Sequence, residues 1–245
     1  MIKLFNSKPK NTTLPFLVDI HSHLLPGLDD GVKSMEETVY ILKTLEKIGY
    51  KKIITTPHVM SEHYPNSDLD IISKLEETRA YISKHHLNIQ LDAAAEYYLD
   101  ENLMSRLNNA EKLLKFGDNY LLFETPFYNK PAFLEEFIFN ANTQGYKPIL
   151  AHPERYSYLK GNKKLLEKLK NMNLLFQMNI LSLTGFYSIE VKRSALNLLK
   201  SNMIDFVGTD CHNTVQINEI ANKINSRNFR LLSSQRFLNQ SLLSL

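Results

Sequence analysis

From about residue 16 onward, short apolar runs alternate with longer stretches in which apolar residues recur every three or four positions. Phe16-Leu17-Val18 opens the first run, and Lys52-Ile53-Ile54-Thr55-Thr56 is a β-branched run stopped at Pro57-His58. Similar runs near 89–95, 120–123, 148–151, 174–178 and 204–208 bring the predicted strands to seven, the first two covering 17–21 and 52–56. Between them, Ser34-Met35-Glu36-Glu37 has the spacing of a capping box, and Val39, Leu42, Leu45 and Ile48 follow at helical spacing before Gly49, which predicts a helix over 34–48. The same patterning predicts helices near 68–86, 131–143, 162–170 and 188–201, a short acidic helix between Glu96 and Gly117, and a short closing helix around Phe237 to Leu243. Strands alternating with helices at this rhythm imply right-handed βαβ units and a parallel sheet, either closed as a barrel or open and doubly wound.

Chemistry-bearing residues choose between the two. His21, His58, Glu96, Glu124, His152 and Asp210 all fall where a predicted strand ends, and a closed barrel gathers many successive strand ends around one centre, whereas an open sheet gathers ligands at one switch point. In Asp19-Ile20-His21-Ser22-His23, two imidazoles one residue apart can converge on one point, with Asp29-Asp30-Gly31 close behind to supply a hard oxygen. Alone, that pair reads more readily as surface histidines beside an acidic turn; the company it keeps decides. The candidate ligands are His21, His23, Asp30, His58, Glu96, Glu124, His152, Asp210 and His212, while His63, His85 and His86 receive no role. Four to six donors saturate most transition metals, so nine imply two or three ions. Imidazole and carboxylate without thiolate fit Mn²⁺, Fe²⁺ or Zn²⁺ rather than Ca²⁺, and clustered ions of this kind serve hydrolysis by acidifying a water and stabilising charge on the group under attack.

Composition narrows the class further. A chain of 245 residues, 43% apolar and 22% charged, suits one domain, here 16–245, preceded by a polar extension over 1–15. Net charge is +3, with Lys and Arg scattered along the chain, which argues against nucleic acid. A lone cysteine excludes an internal disulfide framework, and neither a secretory signal nor a run of about 18 apolar residues is present, so the expected protein is cytoplasmic without membrane insertion. Cys211 also suggests a thiolate nucleophile, but the arginine such phosphatases need six positions later is here Ile217. Arg155, three residues past His152, suits a clamp for a phosphate oxyanion; its alternative is an ion pair with Glu154 or another nearby acid. No glycine-rich phosphate loop is present, against a kinase or a dinucleotide enzyme. Tyr97, Tyr98, Phe127, Tyr128, Tyr156 and Tyr158 follow three candidate ligands and either wall a pocket for an aromatic ring or pack beneath the loops.

Asp19-Ile20-His21-Ser22-His23, Asp29-Asp30-Gly31, Thr56-Pro57-His58, Ala95-Glu96-Tyr97-Tyr98, Glu124, Ala151-His152-Pro153-Glu154-Arg155-Tyr156 and Thr209-Asp210-Cys211-His212-Asn213 together resemble the PHP (polymerase and histidinol phosphatase) superfamily. Within it they resemble the manganese-dependent bacterial protein-tyrosine phosphatases of capsule and exopolysaccharide operons. The resemblance spans about Asp19 to Asn213. It implies a distorted (β/α)₇ barrel in a single α/β domain, and a trinuclear site. By analogy, His21, His23, Glu96 and Asp210 hold one metal, Glu96, Glu124 and His152 a second, and Asp30, His58 and His212 a third, with Arg155, Asp210 and His212 as the catalytic residues. It further implies Mn²⁺, with Fe²⁺ or Zn²⁺ as alternatives, and a phosphorylated bacterial tyrosine autokinase with a tyrosine-rich tail as partner. A homo-oligomer stays open. The second arginine that relatives carry after the Asp-x-His pair is absent from Asn213-Thr214-Val215-Gln216-Ile217. Competing readings are a small-molecule phosphatase such as histidinol phosphatase, a nuclease-type phosphodiesterase disfavoured by the missing basic groove, and a non-enzymatic metal-binding partner of the kinase.

Overall fold

The computed structural model describes Leu14 and residues 16–243; the extension expected over 1–15 otherwise lies outside the described residues. The strands are β1 Val18–Asp19, β2 Lys52–Thr55, β3 His58–Val59, β4 Gln90–Ala93, β5 Glu96–Tyr98, β6 Tyr120–Glu124, β7 Lys147–Ala151, β8 Leu175–Asn179 and β9 Phe206–Gly208. The helices are α1 Met35–Lys47, α2 Asp68–Ile82, α3 Glu101–Asn108, α4 Leu134–Thr143, α5 Lys163–Asn171, α6 Ile189–Lys200, α7 Thr214–Lys223 and α8 Arg227–Arg230. All strand pairs are parallel, in the orders β1-β2-β4 and β3-β5-β6-β7-β8-β9.

Nine strands occupy seven tracks, because β2 and β3 are one strand interrupted at Thr56-Pro57, and β4 and β5 are one strand interrupted at Ala94-Ala95. Proline lacks the N–H a ladder needs, which splits the first of these. Backbone bonds carry the tracks across both breaks, from Thr56 N to Ser22 O, Ala94 N to Thr55 O and Glu96 N to Pro57 O. A single bridge between Ser22 and Cys211 closes the ring from the first track to the last. The barrel expected from the strand ends is therefore present.

Side chains alternate between two apolar clusters along each strand, as the pleat requires. Leu121, Phe123 and Leu150 join the large layer shared with the helices, whereas Leu122, Ile149, Ala151, Ala94 and Phe206 join a smaller cluster made of strand residues, which fills the barrel. Phe116 and Leu242 join that inner cluster. The stretch Leu238–Leu242, a 3₁₀ turn where a short closing helix is expected, stoppers the lower end: Asn239 donates to the carbonyls of both Val18 and Val207 and accepts from Val207 N–H.

Helix starts follow their caps. Ser34 accepts from Glu37 N–H ahead of α1, and Ser67 with Asp70 completes a capping box ahead of α2. The helix expected over 68–86 ends at Ile82 and continues as a 3₁₀ turn to His85, and the one expected from 131 starts at Leu134. α7 and α8 have no counterpart in the sequence reading. α7 is capped by Asn213, whose side chain accepts from Val215 and Gln216 N–H, and it buries Ile217 and Ile220. No helix among the described residues is long and apolar enough to cross a membrane.

Candidate metal centre

Two steps of the pleat beyond an inward apolar residue bring a polar side chain into the mouth of the barrel. Ala94 is thus followed by Glu96, and Leu122 by Glu124. On the last track, Phe206 is followed by Gly208 and Asp210. A side chain at Gly208 would place its Cβ 2.6 Å from His21 Cβ, and one at Gly31 would lie 2.3 Å from His23 O, so both glycines make room for the histidine pair. His152 and Asp210 adopt left-handed backbone, φ 34° and 51°, a conformation that non-glycine residues hold only where the surroundings enforce it.

All nine sequence-predicted ligands come together. His21 Nε2 lies 3.1 Å from Glu96 Oε2, 3.3 Å from Asp210 Oδ1 and 3.3 Å from His23 Nε2; His23 Nε2 is 3.4 Å from both carboxylates. Such spacings are edges of a tetrahedron whose centre lies about 2 Å from each donor, the bond length of a divalent transition metal to imidazole or carboxylate. A second locus forms where His152 Nε2 approaches Glu96 Oε1 at 3.2 Å and Glu124 Oε2 at 3.8 Å. The third gathers Asp30 Oδ1, 3.6 Å from His58 Nε2 and 3.4 Å from His212 Nε2. His58 thus sits with Asp30 and His212 through Nε2, and the other ring nitrogen adds a second contact. Its Nδ1 lies 3.2 Å from Glu96 Oε2 and 3.3 Å from Glu124 Oε1, so one ring spans the second and third loci. Glu96 Oε2 and His58 Nδ1 are buried yet make no hydrogen bond, as expected of lone pairs aimed at an ion rather than at each other. The residues present fit two or three divalent metals.

Protonation follows the crowding. Burial alone would depress the His21 pKa, but the Glu96 and Asp210 carboxylates raise it to about 8. Burial lowers the His152 pKa to about 4, with Arg155 adding to the effect despite the opposing pull of Glu96. Burial together with Glu96 pushes the Glu124 carboxyl well up, while His21 and His212 outweigh burial and hold Asp210 well down.

A supporting shell, absent from the sequence reading, orients these ligands. Asp29 Oδ2 sits 2.7 Å from His23 Nδ1, and Gln177 Oε1 sits 2.8 Å from His21 Nδ1, which places each ring's Nε2 toward the centre. Asn179 donates to Asp210 Oδ2 at 2.6 Å, and Tyr187 donates to the same oxygen at 3.3 Å. Gln177 and Asn179 are the polar positions two apart in the otherwise apolar run of β8, a signal the sequence carried.

The mouth of the centre is a pocket of about 380 Å³. Arg155 lines it, pairing with Asp210 Oδ2 at 3.2 Å rather than with Glu154, which is buried and accepts from Asn179 N–H and Ser182 Oγ. The Arg155 guanidinium lies between two rings, 4.6 Å from Phe127 and 4.5 Å from Tyr187. The expected aromatic wall is mostly elsewhere: Tyr97 and Tyr156 are buried in the helix-side core, Tyr158 bonds Thr125, Tyr128 is exposed, and Tyr98 lines a neighbouring cleft. Phe127 remains, joined by Tyr64 and Tyr187. Cys211 is fully buried between the ligands Asp210 and His212, and burial pushes its thiol pKa far up, out of nucleophile range. Cys211→Ser should therefore keep most of the activity; a folded, metal-loaded variant without activity would restore the thiolate mechanism.

A model of the capsular polysaccharide synthesis family CpsB/CapC matches residues 17–227. The chain belongs to the CpsB/CapC family. CapC of Staphylococcus aureus is 31% identical over 196 residues, 80% of this chain and 77% of that protein. The tyrosine-protein phosphatase YwqE of Bacillus subtilis is 27% identical over 197 residues, 80% and 78% of the two chains. A crystal structure from work on YwqE and on CpsB of Streptococcus pneumoniae, described as metal-dependent tyrosine phosphatases, superposes with a TM-score of 0.78 at 25% identity, covering 93% of this chain and 94% of that one. That structure thus shares this barrel across nearly the whole chain.

Proposed function

We propose that this protein is a metal-dependent protein-tyrosine phosphatase of the polysaccharide capsule pathway, using Mn²⁺ in the cytoplasm and acting on a phosphorylated bacterial tyrosine kinase. What carries the reading is the gathering of nine imidazole and carboxylate residues into adjoining groups at one barrel mouth, with Glu96 shared between two of them, beside an arginine held between two rings at the pocket mouth. His21, His23, Glu96 and Asp210 would hold one ion; Glu124 and His152, with Glu96, a second; Asp30 and His212 a third, with His58 serving either of the last two. Such ions supply Lewis acidity toward phosphoryl oxygens and an acidified water. Arg155 commits one terminal nitrogen to Asp210, and a guanidinium offers five N–H donors in all, so others are left for a phosphate. Phe127 and Tyr187 fix the guanidinium plane, sparing the entropy of ordering it when the phosphate arrives. Asp210 links the two functions, one carboxylate oxygen facing the histidines and the other facing Arg155.

The ring of a phosphotyrosine would lie against Tyr64, Phe127 and Tyr187, contacts that an aliphatic phosphoester cannot match. At one pH and saturating Mn²⁺, phosphotyrosine peptides are expected to show kcat/KM about 10²-fold above phosphoserine peptides and histidinol phosphate. A simple aryl phosphate controls for the better phenolate leaving group. Preference for histidinol phosphate would install the small-molecule reading, and a fully metal-loaded protein that turns over no phosphoester would install the non-enzymatic one.

A further inference from the structure

Residues 160–200 contain eight Lys or Arg against two Glu, while the whole chain has 29 basic and 26 acidic residues. This segment supplies the entire positive excess, and the remainder is net acidic; whole-chain composition conceals the clustering. In the fold, α5 and α6 border a groove of about 430 Å³. Its floor is apolar, built by Leu159, Leu166, Leu198 and Met203. Lys160, Lys163 and Arg193 stand exposed on its rim, and Glu190 is the only carboxylate among the described residues lining it. Along the chain, its lining runs next to that of the metal pocket. Pro153 lines the groove and directly follows His152, and α6 begins at Ile189, two residues past Tyr187 of the metal pocket. Phe186 and Ile189, before and at the start of α6, are 45% and 62% exposed.

We propose that this groove docks the polypeptide that carries the phosphotyrosine, taking a stretch in which an apolar side chain is flanked by Asp or Glu. The inference rests on the protein-tyrosine phosphatase reading above. Charge complementarity selects the occupant: Lys163 pairs with Glu167 at 3.5 Å, which leaves Lys160 and Arg193 against Glu190 on the rim, a surplus that favours an acidic segment, and such a rim speeds encounter more than it deepens affinity. The apolar floor supplies what charge does not, a place to bury one aliphatic or aromatic side chain. Nucleic acid fits less well, because no aromatic residue lines the groove for bases to stack on. A bilayer cannot enter a concavity of this kind. Tethering at the groove raises the concentration of the phosphotyrosine at the metal pocket, so the gain appears in KM.

The test uses the full metal-loaded chain and the double variant Lys160→Glu/Arg193→Glu, both positions being exposed. Substrates are an aryl phosphate and three phosphotyrosine peptides, whose flanks are acidic with a leucine, acidic without it, and neutral. Wild type is expected to favour the first peptide about tenfold in kcat/KM, through KM, and the variant to lose that preference while its aryl phosphate turnover stays within about twofold. Equal kcat/KM for all three peptides in wild type, or an undiminished preference in the variant, overturns the proposal. Should no peptide be hydrolysed, the phosphatase reading fails by itself; anisotropy of the labelled, unphosphorylated acidic-leucine peptide then decides the groove. Binding by wild type that the variant loses upholds it, and absent binding, or retention by vesicles of anionic phospholipid in place of the peptide, overturns it.

Discussion

Stripping divalent metal with a chelator abolishes hydrolysis of an aryl phosphate, and adding Mn²⁺ restores it. The expectation follows from what the chain keeps without ions: one guanidinium, already paired with Asp210, and a set of donors that neutralise one another. None of these substitutes for several positive charges beside a phosphoryl group. Reconstitution has a predictable pH dependence. A metal must displace the proton that the carboxylates keep on His21 up to pH about 8, and the one that burial keeps on Glu124. Apparent metal affinity therefore rises with pH through that range and weakens on the acid side, where both groups hold their protons. Full turnover in protein that elemental analysis shows to be metal-free refutes the mechanism.

Glu96→Gln costs about 10³-fold or more in kcat, because both oxygens of this one side chain serve the centre: Oε1 beside His152, Oε2 beside His21, His23 and His58. An amide keeps the shape and supplies one neutral oxygen in place of a carboxylate, so metal content should fall at more than one locus. Arg155→Ala supplies the contrast. It leaves every predicted donor in place and should keep its metals while losing about 10²-fold in kcat/KM and the ability to be inhibited by inorganic phosphate. Metal analysis of the two variants separates the roles; equal metal loss in both would mean that Arg155 positions Asp210 rather than substrate.

Much of this was legible in the chain because the apolar runs are short, β-branched and stopped by histidine, glutamate or aspartate. The run ending at Glu124 and the one ending at Ala151 match β6 and β7 within one residue. Glu96 was harder. It opens β5 instead of ending a strand, since the pause at Ala94-Ala95 is a break within one track and the ladder resumes against β6. Strand alternation also explains the displaced aromatic wall: with Glu96 facing inward, Tyr97 must face the helices, where its hydroxyl accepts from Leu114 N–H and Arg106 covers its ring. Tyr64 and Tyr187 reach the pocket from loops whose paths no periodicity reveals. In the supporting shell, Asp29 lies six positions from His23, and Gln177 and Asn179 stand out as polar positions in β8, but which ligand those two orient depends on long-range contacts, 156 positions for His21 and Gln177. α7 was masked because its cap, Asn213, reads equally well as the last residue of the ligand motif.

The ring of strands closes with little backbone adhesive. Where β1 and β9 meet there is no full ladder among the described residues: the join is made by the Ser22–Cys211 bridge, the bonds from Asp210 N to His21 O and from His23 N to Cys211 O, Thr209 donating to Asp19, 190 positions away, and to His21 O, and Asn239 tying Val18 to Val207. His21 and His23 belong to one side of that join, Asp210 and His212 to the other. An ion held among them acts as a clasp on a hoop, fastening the first strand of the barrel to the last. At free metal about 1,000-fold above its dissociation constant, the fastening adds about 4 kcal/mol to a fold whose whole margin is of the order of ten. Metal starvation would then remove this enzyme twice over, first by emptying its chemistry and then by unlatching the barrel to proteases, so that its abundance in the cell tracks the supply of its ion.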